Sequence, residues 1–143
     1  MIVHDRTVRF EDIDAAGIVF FARFSNYCHD AMERFFDELP GGYAELIMGR
    51  KIGFPAVHVT SDFASPIRYG DVARIEGTVT KLGTTSCHFH FEVTRAKDSV
   101  KVATMKHVHV CSDLRSMTKL PFPPDVRAAL ETHLVANRDP AAT

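Results

Sequence analysis

Tryptophan is absent from this chain of 143 residues, and cysteine occurs only as Cys28, Cys87 and Cys111, with no CxxC spacing. An odd number of separated thiols, each in a segment that reads as helix or strand, points to reduced core residues rather than to a bonded framework or a catalytic thiol. A surplus of either charge is missing too: 17 Lys and Arg stand against 18 Asp and Glu, a formal net charge of −1. That balance excludes a general attraction for nucleic acid or an anionic membrane, so an anionic ligand must be held by a few local cations. No apolar run of the roughly 18 residues that a membrane helix needs is present. Residues 1–6 lack the basic start and apolar run of a signal peptide, so a cytoplasmic protein is expected. Low-complexity and long polar tracts are also missing. With 45% hydrophobic and 24% charged residues the composition is that of a globular protein, expected as one domain over residues 1–143.

Periodicity supplies the elements. Val3, Val8 and Phe10 among polar neighbours suit a first strand over residues 3–10. Between residues 21 and 39, Phe24, Tyr27, Cys28, Ala31, Met32, Phe35, Phe36 and Leu39 recur at three-four spacing. They make one apolar helical stripe, which Pro40-Gly41-Gly42 ends. A short helix over residues 43–48 follows, then extended segments over 55–64, 72–82, 85–94 and 100–111. The tail over about 123–135 reads as a surface helix begun by Pro124 and Asp125.

A strand, a long helix and then four strands without helical crossovers make an α+β protein with a mainly antiparallel sheet. Such a long, twisted sheet should curl around the single striped helix. One helix covers neither the second face nor both edges, so the expectation is a homodimer at least, with a homotetramer as the larger option.

The most informative stretch is Asp12-Ile13-Asp14-Ala15-Ala16-Gly17-Ile18-Val19-Phe20-Phe21, two carboxylates and a glycine turn in front of the helix. It can set a fixed anion beside backbone N–H groups that lack helical partners, which acyl transfer from a thioester requires. Simple capping of a helix start explains the same residue types.

This motif resembles the hotdog-fold thioesterases of the 4-hydroxybenzoyl-CoA thioesterase family, in which a curved antiparallel sheet wraps a central helix. Supporting parts are Leu82-Gly83-Thr84-Thr85-Ser86 and Val108-His109-Val110-Cys111. Cys28-His29-Asp30-Ala31, Phe54-Pro55-Ala56-Val57-His58 and Lys119-Leu120-Pro121 are similar to 1,4-dihydroxy-2-naphthoyl-CoA thioesterases. The resemblance implies hydrolysis of an acyl-CoA, with 4-hydroxybenzoyl-CoA first, and 1,4-dihydroxy-2-naphthoyl-CoA or a short to medium aliphatic acyl-CoA as alternatives. It makes Asp14 the nucleophile or general base and the Phe21 N–H the donor to the carbonyl oxygen. The family often carries Tyr or His where this chain has Phe20 and Phe21, so only a backbone donor remains here.

Gly17, Phe20, His58, Thr84, Thr85 and Ser86 are expected to bind substrate, with Thr84–Ser86 at the pantetheine arm. Phe20, Phe21 and Phe24 are candidates to line an acyl pocket, although Phe24, on the helical stripe, reads first as core. Arg68, Lys81, Arg115 and Lys119, at strand ends or in turns, are the candidates for the phosphates of coenzyme A. No metal or other cofactor is required, since coenzyme A enters only as part of substrate and product. Competing readings are a metal enzyme built on His88-x-His90 and His107-x-His109, each pair on one strand face, and a non-catalytic acyl-CoA or acyl-carrier binder on the same fold. A dehydratase would be expected to show a catalytic His in a different motif.

Overall fold

A computed structural model describes residues 1–135. In chain order the elements are β1 (Ile2–Thr7), α1 (Arg23–Glu33), α2 (Gly42–Met48), β2 (Ile52–Gly53), β3 (Ala56–Phe63) and β4 (Val72–Leu82). They continue with β5 (Ser86–Arg95), β6 (Val100–Val110), β7 (Ser112–Asp113), β8 (Thr118–Lys119) and α3 (Pro124–Glu131). Five strands pair antiparallel in the order β1-β4-β5-β6-β3. The register shifts between Val79 and Lys81, between Val93 and Thr94, and between Ala56 and His58, and such bulges bend a sheet and sharpen its twist. This is the hotdog fold, with α1 against the inner face of the sheet.

Alternation decides what is inside. Ala73, Ile75 and Val79 of β4, Cys87, Phe89, Phe91 and Val93 of β5, and Ala103 and Met105 of β6 are buried together with Phe24, Tyr27, Cys28, Ala31 and Met32 of α1. The helix is shorter than its stripe. It starts at Arg23 and gives way at Arg34–Phe36 to a single 3₁₀ turn, whose tighter winding buries the adjacent Phe35 and Phe36 together. Phe35 then lies 5.0 Å from Phe89, centroid to centroid.

Other expectations need correction as well. β1 ends at Thr7, because Val8 turns inward and Phe10 begins a 3₁₀ turn. The four histidines of the strand pairs do not converge. Phe89 pairs with His107 and Cys87 with His109, so those two imidazoles point inward, while His88 pairs with Val108 and His90 with Lys106 on the outer face. The sheet stands between the pairs, and no group of three or more metal-binding side chains occurs among the described residues.

The three cysteines are buried and unbonded. Burial pushes the Cys28 thiol up to about 12 and the Cys111 thiol up to about 11, which keeps both protonated and unreactive. α3 is not a detached surface helix, since Val126, Ala129 and Leu130 enter the core. Beyond it the His133 carbonyl accepts the Val79 N–H at 3.1 Å and the Val79 carbonyl accepts the Val135 N–H at 2.9 Å. The tail therefore continues the sheet beside β4, just beyond Ile2, where β1 begins. A second sheet, β2-β7-β8, is made of strands two residues long.

The two sheet edges differ in kind. β1 carries His4, Asp5 and Arg6, with Asp5 paired to Arg74 of β4 at 3.0 Å. All eight residues of β3 are exposed, including Val57, Val59 and Phe63. No helix of the described residues is long and apolar enough to cross a membrane.

Candidate active site

The stretch from Asp12 to Phe20 folds back on itself as a small finger. Ile13 bridges Val19, the Asp14 N–H donates to the Ile18 carbonyl at 3.0 Å, and the Gly17 N–H donates to the Asp14 carbonyl at 3.0 Å. Gly17 closes the turn at φ +79°, a left-handed conformation that glycine adopts without steric cost. The outer strand of the finger is anchored to the main body: Ile18 bridges Arg68, and the Val19 N–H donates to the Ile67 carbonyl at 2.9 Å.

Asp14 sits at the tip with its side chain exposed. Its Oδ1 accepts the Ala16 N–H at 2.8 Å, the hydrogen bond of an Asx turn, and this fixes the carboxylate while leaving Oδ2 open. At the base of the finger the Phe20 N–H is taken by the Asp12 carbonyl at 2.9 Å. The following N–H, that of Phe21, has no acceptor among the described residues and precedes α1 by two positions. A fixed carboxylate and a free donor thus flank one short turn.

Two exposed aromatic rings follow it in the chain. Phe20 and Phe21 are 43% and 63% exposed and touch each other, with centroids 4.7 Å apart. Phe24, by contrast, is buried, as its place on the helical stripe predicts, and meets Phe63 at 5.3 Å.

Asp12 faces the other way. It is fully buried, and its Oδ2 accepts both the Arg9 N–H at 2.9 Å and the Tyr27 hydroxyl at 2.8 Å, while the Arg6 guanidinium approaches both oxygens at 3.4 Å. Burial works to raise its pKa, but the Arg9 N–H, the Tyr27 hydroxyl and Arg6 outweigh it and hold the carboxyl below the usual range. The Tyr27 hydroxyl is pushed up by burial and by this anion. Arg6 and Tyr27 carry no site role in the sequence reading. The available signal was chemical, since a buried tyrosine on an apolar stripe needs a partner for its hydroxyl.

The remaining expected residues divide between the two ends of the sheet. Arg68 lies beside the finger, exposed, where Ile18 bridges it. His58, Lys81, Thr84, Thr85, Ser86, Arg115 and Lys119 lie at the opposite end, about 30 Å away along strands of ten or so residues. There the 83–86 turn is held structurally: the Gly83 N–H donates to the Ser86 carbonyl at 2.8 Å, Phe122 N–H to the Thr84 carbonyl at 3.2 Å, and Cys111 N–H to the Thr85 carbonyl at 2.7 Å. Lys81, Arg115 and Lys119 are exposed at that end. One copy of the chain does not bring these groups to Asp14.

Residues 8–130 match the model of the thioesterase-like superfamily. A 1,4-dihydroxy-2-naphthoyl-CoA hydrolase of Nostoc punctiforme is 35% identical over 130 residues, covering 91% of this chain and 86% of the relative. A solved 1,4-dihydroxy-2-naphthoyl-CoA thioesterase from Synechocystis superposes with a TM-score of 0.81 at 27% identity, over 90% of this chain and 94% of that one. A gentisyl-coenzyme A thioesterase superposes with a TM-score of 0.79 at 28% identity, over 90% and 98%.

Proposed function

Because the chain belongs to the thioesterase-like superfamily and is a thioester hydrolase acting on acyl-CoA, we propose that its substrate is a hydroxylated aroyl-CoA, 1,4-dihydroxy-2-naphthoyl-CoA before the smaller 4-hydroxybenzoyl-CoA, with Asp14 at the reacting carbon. The observation that carries the site is the finger itself, an exposed carboxylate pinned by one N–H and followed by an unclaimed N–H at Phe21. The larger ring system is favoured by the Nostoc and Synechocystis likenesses, and the smaller one has the gentisyl-CoA likeness behind it.

Asp14 acts in one of two ways. As a nucleophile, one carboxylate oxygen adds to the thioester carbon, the carbonyl electrons move to oxygen, and their return expels coenzyme A as thiolate. The resulting mixed anhydride is then hydrolysed by water to free acid and the restored carboxylate. As a general base, the carboxylate takes a proton from water as the water adds to the same carbon, and that proton leaves with the thiolate. Both routes build negative charge on the carbonyl oxygen, which the Phe21 N–H stabilises. A donor of this kind is worth about 10²- to 10³-fold in rate. Phe20 and Phe21 offer faces to a flat acyl ring.

The reading includes a homodimer. Two β3 edges paired antiparallel set the Asp14 end of one subunit beside the far end of the other. The second copy would then bring His58 and the 84–86 turn towards the acyl group and arm, and Lys81, Arg115 and Lys119 towards the phosphates, joining Arg68. In this reading the working site is shared between subunits in the cytoplasm, and needs neither metal nor cofactor beyond the coenzyme A of its substrate.

The test is thiol release from a panel of hydroxyaroyl- and aliphatic acyl-CoAs by the parent and Asp14→Asn proteins. The expected result is turnover greatest with 1,4-dihydroxy-2-naphthoyl-CoA and reduced at least about 100-fold by Asp14→Asn. Parental turnover in Asp14→Asn removes Asp14 from the reaction. A preference for aliphatic chains removes the aroyl assignment.

A further inference from the structure

Asp12 is a charged side chain with no solvent contact, two residues from the proposed reacting carboxylate. Taking a carboxylate out of water costs several kcal/mol, and a turn at a helix entry does not need one, since a partly solvated Ser or Asn caps as well. The cost is offset here by donors from three separate parts of the chain. Arg6 comes from β1, Arg9 from the 3₁₀ turn and Tyr27 from α1. Arg6 is itself drawn to Asp30 at 3.3 Å and to Glu11 at 3.8 Å, and lies 5.1 Å over the Tyr27 ring. The backbone of Asp12 does a second job: its carbonyl takes the Phe20 N–H, closing the finger at its base and making Phe21 the next residue with an N–H to offer.

We propose, building on the Asp14 reading, that Asp12 is a positioning residue for the reaction, with Tyr27 and Arg6 as its clamp. Its side chain locks the finger to β1 and α1, and its carbonyl sets the spacing between the Asp14 carboxylate and the Phe21 N–H. It never meets the thioester, being fully buried, and acts only through those two groups. Displacement of a reacting group by about 1 Å costs on the order of 100-fold in rate, so loosening this clamp lowers turnover even where substrate still binds.

Tyr27→Phe keeps the ring in the core and removes the hydroxyl alone, while Asp12→Asn keeps shape and sets an amide against Arg6. Parent, Asp14→Asn, Tyr27→Phe and Asp12→Asn proteins are compared by kcat and KM for the best aroyl-CoA of the panel. Binding is measured with a hydroxyphenacyl-CoA thioether, whose carbonyl is separated from sulfur by a methylene. The expected result is a fall in kcat of about 10- to 100-fold for Tyr27→Phe, and at least as large for Asp12→Asn, with KM and thioether Kd within about threefold of the parent. A lower melting temperature alone reports the structural share of the clamp. If Tyr27→Phe melts lower but keeps the parental kcat, or if the loss lies wholly in KM, the positioning role is overturned. Should Asp12→Asn fail to fold, Tyr27→Phe decides the matter. An inactive Asp14→Asn beside a fully active Tyr27→Phe overturns the clamp and spares the Asp14 reading. A fully active Asp14→Asn overturns both.

Discussion

His107 on β6 stands directly between Phe89 on β5 and Val59 on β3, a buried imidazole with an inward-facing ring on one side and an exposed edge on the other. Its ring stacks on that of His109, with centroids 5.7 Å apart, and both side chains are almost wholly enclosed, at 4% and 2% exposure. His109 Nδ1 donates to the Phe54 carbonyl at 2.7 Å, which places the proton of the neutral ring on Nδ1.

These two rings predict an acid-sensitive fold. Burial first, then His109 and His29, push His107 from 6.5 down to about 4, and burial also lowers His109. The unfolded chain therefore binds more protons than the folded one between those values. Stability is complete above pH 6.5 and is lost as pH falls through about 4, by at most about 3 kcal/mol for His107. Urea midpoints measured from about pH 7.5 down to about pH 4.5 should fall in the parent, and fall less in His107→Leu. Equal slopes in the two proteins would locate the acid sensitivity elsewhere.

Gly17 predicts a separation of stability from turnover. A Cβ at this position meets nothing within 4 Å, so the only obstacle to Gly17→Ala is its φ of +79°. The strain is about 1 kcal/mol, borne by the turn that holds Asp14. We expect a melting temperature within a few degrees of the parent and a clear loss of kcat, with Gly17→Asn closer to the parent because asparagine tolerates this conformation. A parental kcat in Gly17→Ala would show that the turn has slack.

Two phenylalanines predict opposite outcomes. Phe35 is fully buried against Phe89 and 5.0 Å from the His133 ring, so Phe35→Ala should cost about 3–5 kcal/mol. Phe20 is 43% exposed, so Phe20→Ala should change stability by less than about 1 kcal/mol and instead raise KM for aroyl substrates. Thermal melts and steady-state kinetics on both proteins check the contrast, and an unchanged KM in Phe20→Ala would place the acyl ring away from it.

Val59 predicts the assembly. Placing a charge there by Val59→Asp should prevent strand addition across β3, giving a monomer by sedimentation and a loss of turnover, because the residues at the far end no longer reach Asp14. A monomeric variant with parental turnover would mean that one copy suffices.

Much of this architecture could be read from residue order. β4 falls on residues 72–82 as expected because Ala73, Ile75 and Val79 alternate cleanly, and the finger follows from Asp14 and Gly17, a turn written in two residues. β6 was harder. Polarity sorts His107 and His109 with the exposed face, whereas neighbouring Phe89 and Phe91 offer ring edges and faces that take imidazoles into the core. The two-residue strands β2, β7 and β8 are too short for any period to register. The split of the expected site residues was hidden for another reason. Spacing along a chain says nothing of which sheet end a turn occupies, although the reversal at Gly83 already sets Thr84–Ser86 opposite the turn that follows Phe63.

The charged edge of β1 has a bearing on solubility as well as on pairing. A strand bearing His4, Asp5 and Arg6, with Asp5 already engaged by Arg74, is a poor template for a further strand, whereas β3 is a good one. A sheet with one receptive margin and one refractory margin can grow only by like meeting like, a twofold event that consumes the receptive margin on both partners. In the proposed pairing, strand addition would then stop at two chains, and the same asymmetry that offers a partner would work against a fibre.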